Sequence, residues 1–172
     1  MRNQRWLEEW EPTSTASWWQ RSSASSWRAL VRSLRRAADV GVAVPFVIEY
    51  GSRVVGQMNV SNVVRGALQS AAVGYWIDEA VAGRGITPTA LAMAIDHGFG
   101  PVGLHRMEID IRPENTASRR VVEKLGLRQE GYYERYLNIG GAWQDHLAFA
   151  VTVEELAGGT MLSRLPSLPI QP

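Results

Sequence analysis

Residues 44–50 form an apolar run broken by Glu49, and residues 53–60 a second stretch that ends in the alternation Gln57-Met58-Asn59-Val60, with Gly51 and Ser52 between them. Two apolar, β-branched stretches joined by a glycine-bearing dipeptide predict a β-hairpin. A third apolar stretch, 71–77, predicts another strand after a loop. From 88 to 99 the period lengthens: Leu91, Ala94, Ile95 and Phe99 recur three and four apart, one face of a helix. Met107, Ile109 and Ile111 then alternate with Arg106, Glu108 and Asp110, as in a half-buried strand. A second helix over 116–125 carries the stripe Val121, Val122 and Leu125. Asn115 or Thr116 caps it, and Gly126 supplies the left-handed residue that ends it. Residues 132–138 and 144–151 read as a closing hairpin around Gly140-Gly141, with Trp143 in the turn or the strand. Upstream, 13–26 is rich in Ser and Thr, and 27–38 has helical periodicity through Leu30, Val31 and Leu34.

Antiparallel strands around a central parallel pair, with helices on both faces, define a mixed α/β fold. One domain is expected over residues 1–155. The tail 156–172, with Gly158, Gly159, Pro166, Pro169 and Pro172 and no periodicity, is expected to be disordered. No internal repeat is visible.

Composition narrows the function classes. At 172 residues, 45% hydrophobic and 20% charged, the chain reads as an ordinary globule. A net charge of +1 gives no argument for nucleic acid or a membrane surface, and no direct DNA binding is expected. Arg28, Arg32, Arg35 and Arg36 are spaced for one helix; they form a solvated face, or meet ribosomal RNA or an acidic partner. The absence of cysteine excludes disulfides and cysteine nucleophiles. No secretory apolar region and no run of membrane-spanning length is present, so a cytoplasmic protein is expected. His97, His105 and His146 lack metal-like spacing with carboxylates, and no metal is expected.

The chemistry concentrates in Gly74-Tyr75-Trp76-Ile77-Asp78-Glu79-Ala80-Val81-Ala82-Gly83-Arg84-Gly85-Ile86-Thr87-Pro88. A strand gives way to a glycine loop, then to a helix that reads as capped by Thr87 with Pro88 at its first position. Helix N-terminal N–H groups and the helix dipole favour an anion there, and glycines let a phosphate approach the main chain. The run satisfies neither the Walker loop, Gly-x-x-x-x-Gly-Lys-Ser/Thr, nor the dinucleotide fingerprint, Gly-x-Gly-x-x-Gly.

These residues resemble the GNAT superfamily of N-acetyltransferases, whose acetyl-CoA loop reads Gln/Arg-x-x-Gly-x-Gly/Ala. Laid on Ala82-Gly83-Arg84-Gly85-Ile86-Thr87, the pattern is met at Gly85. Ala82 and Thr87 depart from it. A second run, Arg112-Pro113-Glu114-Asn115-Thr116-Ala117-Ser118-Arg119-Arg120-Val121-Val122-Glu123-Lys124-Leu125-Gly126-Leu127, resembles that superfamily's P-x-N-x-x-S-x-x-V-x-x-x-x-G-F/L signature. The Trp-rich opening Arg2-Asn3-Gln4-Arg5-Trp6-Leu7-Glu8-Glu9-Trp10-Glu11-Pro12, Leu104-His105-Arg106 and Trp143-Gln144-Asp145-His146 are similar to the ribosomal-protein-alanine acetyltransferases.

The resemblance implies an acetyl-CoA-dependent N-acetyltransferase acting by direct attack of an amine, in a monomer or homodimer. The acceptor it implies is a protein N-terminus; a small amine such as an antibiotic or polyamine, and a non-catalytic CoA-binding module, stand as alternatives. It also implies splayed central strands and a first strand that this chain lacks, leaving an exposed sheet edge. The backbone of Trp76 and Ile77 would bond the pantetheine. Ala82, Gly83, Arg84, Gly85, Ile86 and Thr87 would hold the pyrophosphate, with Arg84 adding charge or standing in solvent. Asn115 would touch the pantetheine arm, and Ser118 would protonate or hydrogen-bond the departing thiolate, or else serve helix capping. Glu108, or Asp110 on the same strand face, would be the general base or an ion-pair partner. Tyr132, Tyr133 and Tyr136 would line the acceptor entrance or belong to the strand surface.

Overall fold

The hairpin pattern is realised first. In the computed structural model, which describes residues 2–166, β1 (Val44–Tyr50) and β2 (Arg53–Val64) pair antiparallel across Gly51-Ser52. β3 (Ser70–Ile77) pairs antiparallel with β2. The sheet then continues with β4 (Arg106–Ile111), β5 (Arg128–Ile139) and β6 (Ala142–Thr152) in the order β1-β2-β3-β4-β6-β5. Trp143 belongs to the last strand.

Only β3 and β4 run parallel, and they pair over three residues, Ser70–Ala72 against Arg106–Glu108. Beyond Ala72 no further pair joins the two strands, so the sheet splays at its centre. This is the mixed, mostly antiparallel arrangement that the resemblance implies. β1 forms one edge, where Val47 stands exposed.

α4 (Ile86–Phe99) and α5 (Thr116–Lys124) cover one face of the sheet. Alternation places Val60, Val73, Tyr75, Met107 and Ile109 on that face, and Leu91, Ile95, Val122 and Leu125 close over them with almost no exposure. Burial of each such side chain stabilises the fold by about 1.5–3 kcal/mol. α5 ends as expected, with Gly126 at φ 67° after Leu125. Three helices precede the sheet: α1 (Gln4–Leu7), α2 (Trp18–Arg21) and α3 (Ala24–Asp39). The last lies against β1. Arg28, Arg32, Arg35 and Arg36 are exposed along it with no ion pair among the described residues.

Two expectations fail. Thr87 does not cap α4. Gly85 does, at φ 81°, a left-handed conformation that a side chain resists, and Thr87 lies buried in the first turn. Nor is the tail disordered from 156 onward. Met161 is fully buried, Leu165 packs on the core, and Asp96 of α4 accepts the N–H groups of Met161 and Leu162 at 2.6 and 3.1 Å. Arg164 donates to the carbonyl of Leu125 at the end of α5. One buried methionine and a carboxylate clamp suffice where no periodic pattern exists. Residues 167–172, to which that expectation also applied, lie outside the described residues.

Candidate active site

The splay between β3 and β4 opens a cleft of about 940 Å³. Its walls are the ends of β3 and β4, the loop 81–85, the first turns of α4 and α5, and the segment Trp6–Pro12. That segment ties both lips together. Arg2 pairs with the buried Asp78 just past β3, and the Trp6 indole donates to the carbonyl of Ile77 at 3.0 Å. On the far lip Arg112 donates to the Glu9 carbonyl at 2.9 Å and stacks over Trp10. The Thr13 N–H bonds Asn138 at 2.8 Å.

At one end lies the glycine loop that opens α4. Gly83 and Gly85 both take left-handed conformations, at φ 79° and 81°. The N–H groups opening α4 have no carbonyl inside the helix to bond; the first closure is Thr89 to Gly85 at 3.2 Å. Trp76, Ile77, Ala82, Gly83, Gly85, Ile86 and Thr87 all line the cleft. Arg84 does not. Its guanidinium reaches only the Ala80 carbonyl at 3.4 Å, at the exposed outside of the loop.

Asn115 and Ser118 face the same cleft with divided roles. Asn115 Oδ1 accepts the Ser118 N–H at 2.9 Å and so caps α5. The Ser118 hydroxyl is thereby spared for another partner, the phenol of Tyr75, 2.7 Å away. Burial pushes the Tyr75 phenol up to about 12, the Ser118 bond acting against it. Alternation along β3 puts Tyr75 on the helix-covered face, and that was the available signal for it.

The carboxylates separate. Glu108 lies outside the cleft lining and is paired with Arg106, which also holds Glu130. Asp110, two residues on, lines the cleft. Its Oδ1 is buried without a partner, while Oδ2 accepts the Tyr136 hydroxyl at 3.1 Å. Burial raises the Asp110 carboxyl above its ordinary value, partly offset by the Tyr136 bond; Glu108 raises it further and His146 opposes this. His146, buried on β6, packs edge-on against Tyr136 at 5.4 Å and lines the same cleft. Tyr132 turns instead to Asp145 at 2.5 Å, and Tyr133 stacks on Tyr136. Nothing in the chain's pattern links Asp110, Tyr136 and His146, because they come from three strands.

No group of three or more His, Asp or Glu residues suited to a metal ion occurs among the described residues, and none of their helices is long and apolar enough to cross a membrane.

The splayed mixed sheet and the glycine-capped helix at the cleft match the fold that the resemblance implies. The comparisons agree. The family described as an acetyltransferase (GNAT) domain matches residues 1–128. The chain is similar to RimJ of Mycobacterium smegmatis, solved in complex with CoA-disulfide: 46% identity, TM-score 0.92, covering 94% of this chain and 77% of that one. It is 31% identical over 159 residues to the [ribosomal protein uS5]-alanine N-acetyltransferase of Escherichia coli, covering 91% of this chain and 80% of the relative. It is 38% identical over 99 residues to the probable N-acetyltransferase YjcK of Bacillus subtilis, covering 58% of this chain and 55% of that one. The chain belongs to the GNAT family of N-acetyltransferases.

Proposed function

We propose that this enzyme transfers the acetyl group of acetyl-CoA to the N-terminal amine of a ribosomal protein, in the cytoplasm. The observation that carries the reading is one continuous cleft lined both by a glycine-opened helix N-terminus and by the half-buried carboxylate of Asp110, raised above its ordinary value by desolvation. The residues fit acetyl-CoA: the left-handed glycines and free N–H groups of α4 suit its pyrophosphate, and β3 at Trp76 and Ile77, paired with β2 but without a partner on its β4 side, suits its amide-bearing arm. Bound there, acetyl-CoA supplies an acetyl thioester activated toward amines.

The chain's own residues do the rest. An N-terminal ammonium must lose a proton before its nitrogen can attack. Asp110, its carboxyl raised by burial, takes that proton in place of Glu108. Tyr136 stays protonated, its phenol pushed up to about 12 chiefly by burial and also by Asp110, and so holds the carboxylate in position. Ser118 offers its hydroxyl proton to the leaving sulfur, and Tyr75 fixes the rotamer from which it does so. Attack forms the amide C–N bond, the C–S bond breaks to release the thiol that Ser118 has protonated, and the second proton shed by the nitrogen restores the Ser118 hydroxyl.

The relatives that act on ribosomal protein N-termini support the acceptor. Two of the four lining carboxylates are already matched, Glu11 by Arg21 and Glu114 by Arg112, which lessens the pull on a polycation. Thiol release from acetyl-CoA tests the reading with an alanine-initiated peptide, the same peptide blocked at its α-amine, and spermidine. Turnover on the free peptide alone is expected; turnover on spermidine alone would overturn the acceptor.

A further inference from the structure

The cleft is electrostatically divided. Its acidic lining residues, Glu9, Glu11, Asp110 and Glu114, lie along the N-terminal segment, β4 and the turn before α5. Along α5 the sign reverses. Of that helix's basic side chains, Arg119 turns outward, where it reaches Glu123 at 4.0 Å and the Pro113 carbonyl at 3.2 Å. Arg120 and Lys124 line the cleft, and neither has an ion-pair or hydrogen-bond partner among the described residues. They stand one turn apart, on the same side of the helix. No acidic residue lines the cleft on the loop 81–85 opposite them.

We infer that Arg120 and Lys124 form the subsite for the 3′-phosphate of coenzyme A, resting on the acetyl-CoA reading above. Three observations carry it. First, the order along α5 matches the order along the ligand. Asn115 and Ser118 stand at the thioester end, Arg120 follows, and Lys124 lies about 9 Å beyond Ser118 along the axis. Second, the division of donors matches the division of phosphates. The glycine loop and the α4 N-terminus offer uncharged N–H groups, suited to a pyrophosphate buried against the backbone. A flexible ammonium and a planar guanidinium at the exposed rim suit a terminal phosphate that stays partly in water. Third, two unmatched cations facing an acid-free wall repel each other until an anion joins them.

This subsite would distinguish coenzyme A from ligands that share its pyrophosphate and pantetheine but lack the 3′-phosphate. It would act on affinity and leave the chemical step untouched, since both side chains lie away from Ser118 and Asp110.

The test is titration calorimetry of CoA and 3′-dephospho-CoA against the wild type and the double variant Arg120→Ala/Lys124→Ala. Both positions are exposed, so the fold should survive, and thermal melting checks that it does. The wild type is expected to prefer CoA by roughly tenfold, the preference shrinking as salt rises. The variant should bind both ligands alike, at the wild-type affinity for dephospho-CoA. Equal weakening of both ligands in the variant would mean that the cations serve the pyrophosphate, and would overturn the subsite. So would a wild type that binds the two ligands equally. A wild type that binds neither overturns the acetyl-CoA reading itself, and the subsite with it.

Discussion

The hydroxyl of Tyr75 lies 2.7 Å from that of Ser118, joining the third strand to the first turn of the fifth helix. The contact exists because Asn115 already caps that helix. Freed from capping, the serine hydroxyl is held at the cleft wall by a phenol that burial keeps protonated. Ser118→Ala should therefore lower kcat by about a hundredfold, the range of a lost general acid. Tyr75→Phe should lower it less, and acetyl-CoA affinity should hardly move in either variant. Equal losses in kcat and affinity would return the pair to a structural role.

Gly85→Val should abolish acetyl-CoA binding while leaving a folded protein. A β-branched residue in the left-handed conformation costs on the order of 1–2 kcal/mol, and its side chain projects beside the helix N-terminus. Circular dichroism with calorimetric titration checks both halves. Unchanged affinity would remove the loop from the site.

Asp110 connects activity with stability. Its carboxyl is raised in the fold, so burial favours the protonated form, and the folded state loses stability as pH rises through that range. Asp110→Asn should then raise Tm at neutral pH while removing most turnover. The acid limb of the wild-type kcat/KM profile should lie above the usual aspartate range. A profile flat across that range would assign the proton to another group.

The opposite sign holds at Glu130. Arg106, aided by Arg128, lowers its carboxyl from 4.5 to about 2. The stabilisation is present above about 4.5 and is lost as pH falls toward 2. Glu130→Gln should flatten the acid limb of a stability-versus-pH curve, followed by urea midpoint. A variant curve parallel to the wild type would show that the pair contributes nothing.

The closing segment offers a purely structural test. Met161→Ala should destabilise the fold by about 2–5 kcal/mol, as for a fully buried methionine. Asp96→Ala should free the same segment to protease. Full stability in both variants would mean that the segment is dispensable.

Much of this was legible in the sequence wherever an element is held by its own pattern. The strand Arg106–Ile111 and the helix from Thr116 follow from alternation and from a cap at one end with glycine at the other. What escaped depends on partners distant in the chain. Asp110 and Glu108 share one strand face and one spelling; only the packing of Tyr136 and His146, from two other strands, sets Asp110 apart. Thr87 reads as a cap because threonine often is one, yet the tight loop requires a left-handed residue two positions earlier. Met161 carries no period at all, and its burial depends on a carboxylate 65 residues away.

The most direct measurement of the central claim is mass spectrometry of an alanine-initiated ribosomal-protein peptide after incubation with acetyl-CoA and the enzyme, with fragmentation to locate the added group. One acetyl group on the α-amine, absent with Asp110→Asn, is the predicted result. An unmodified peptide, or acetyl found only on lysine side chains, would contradict the account.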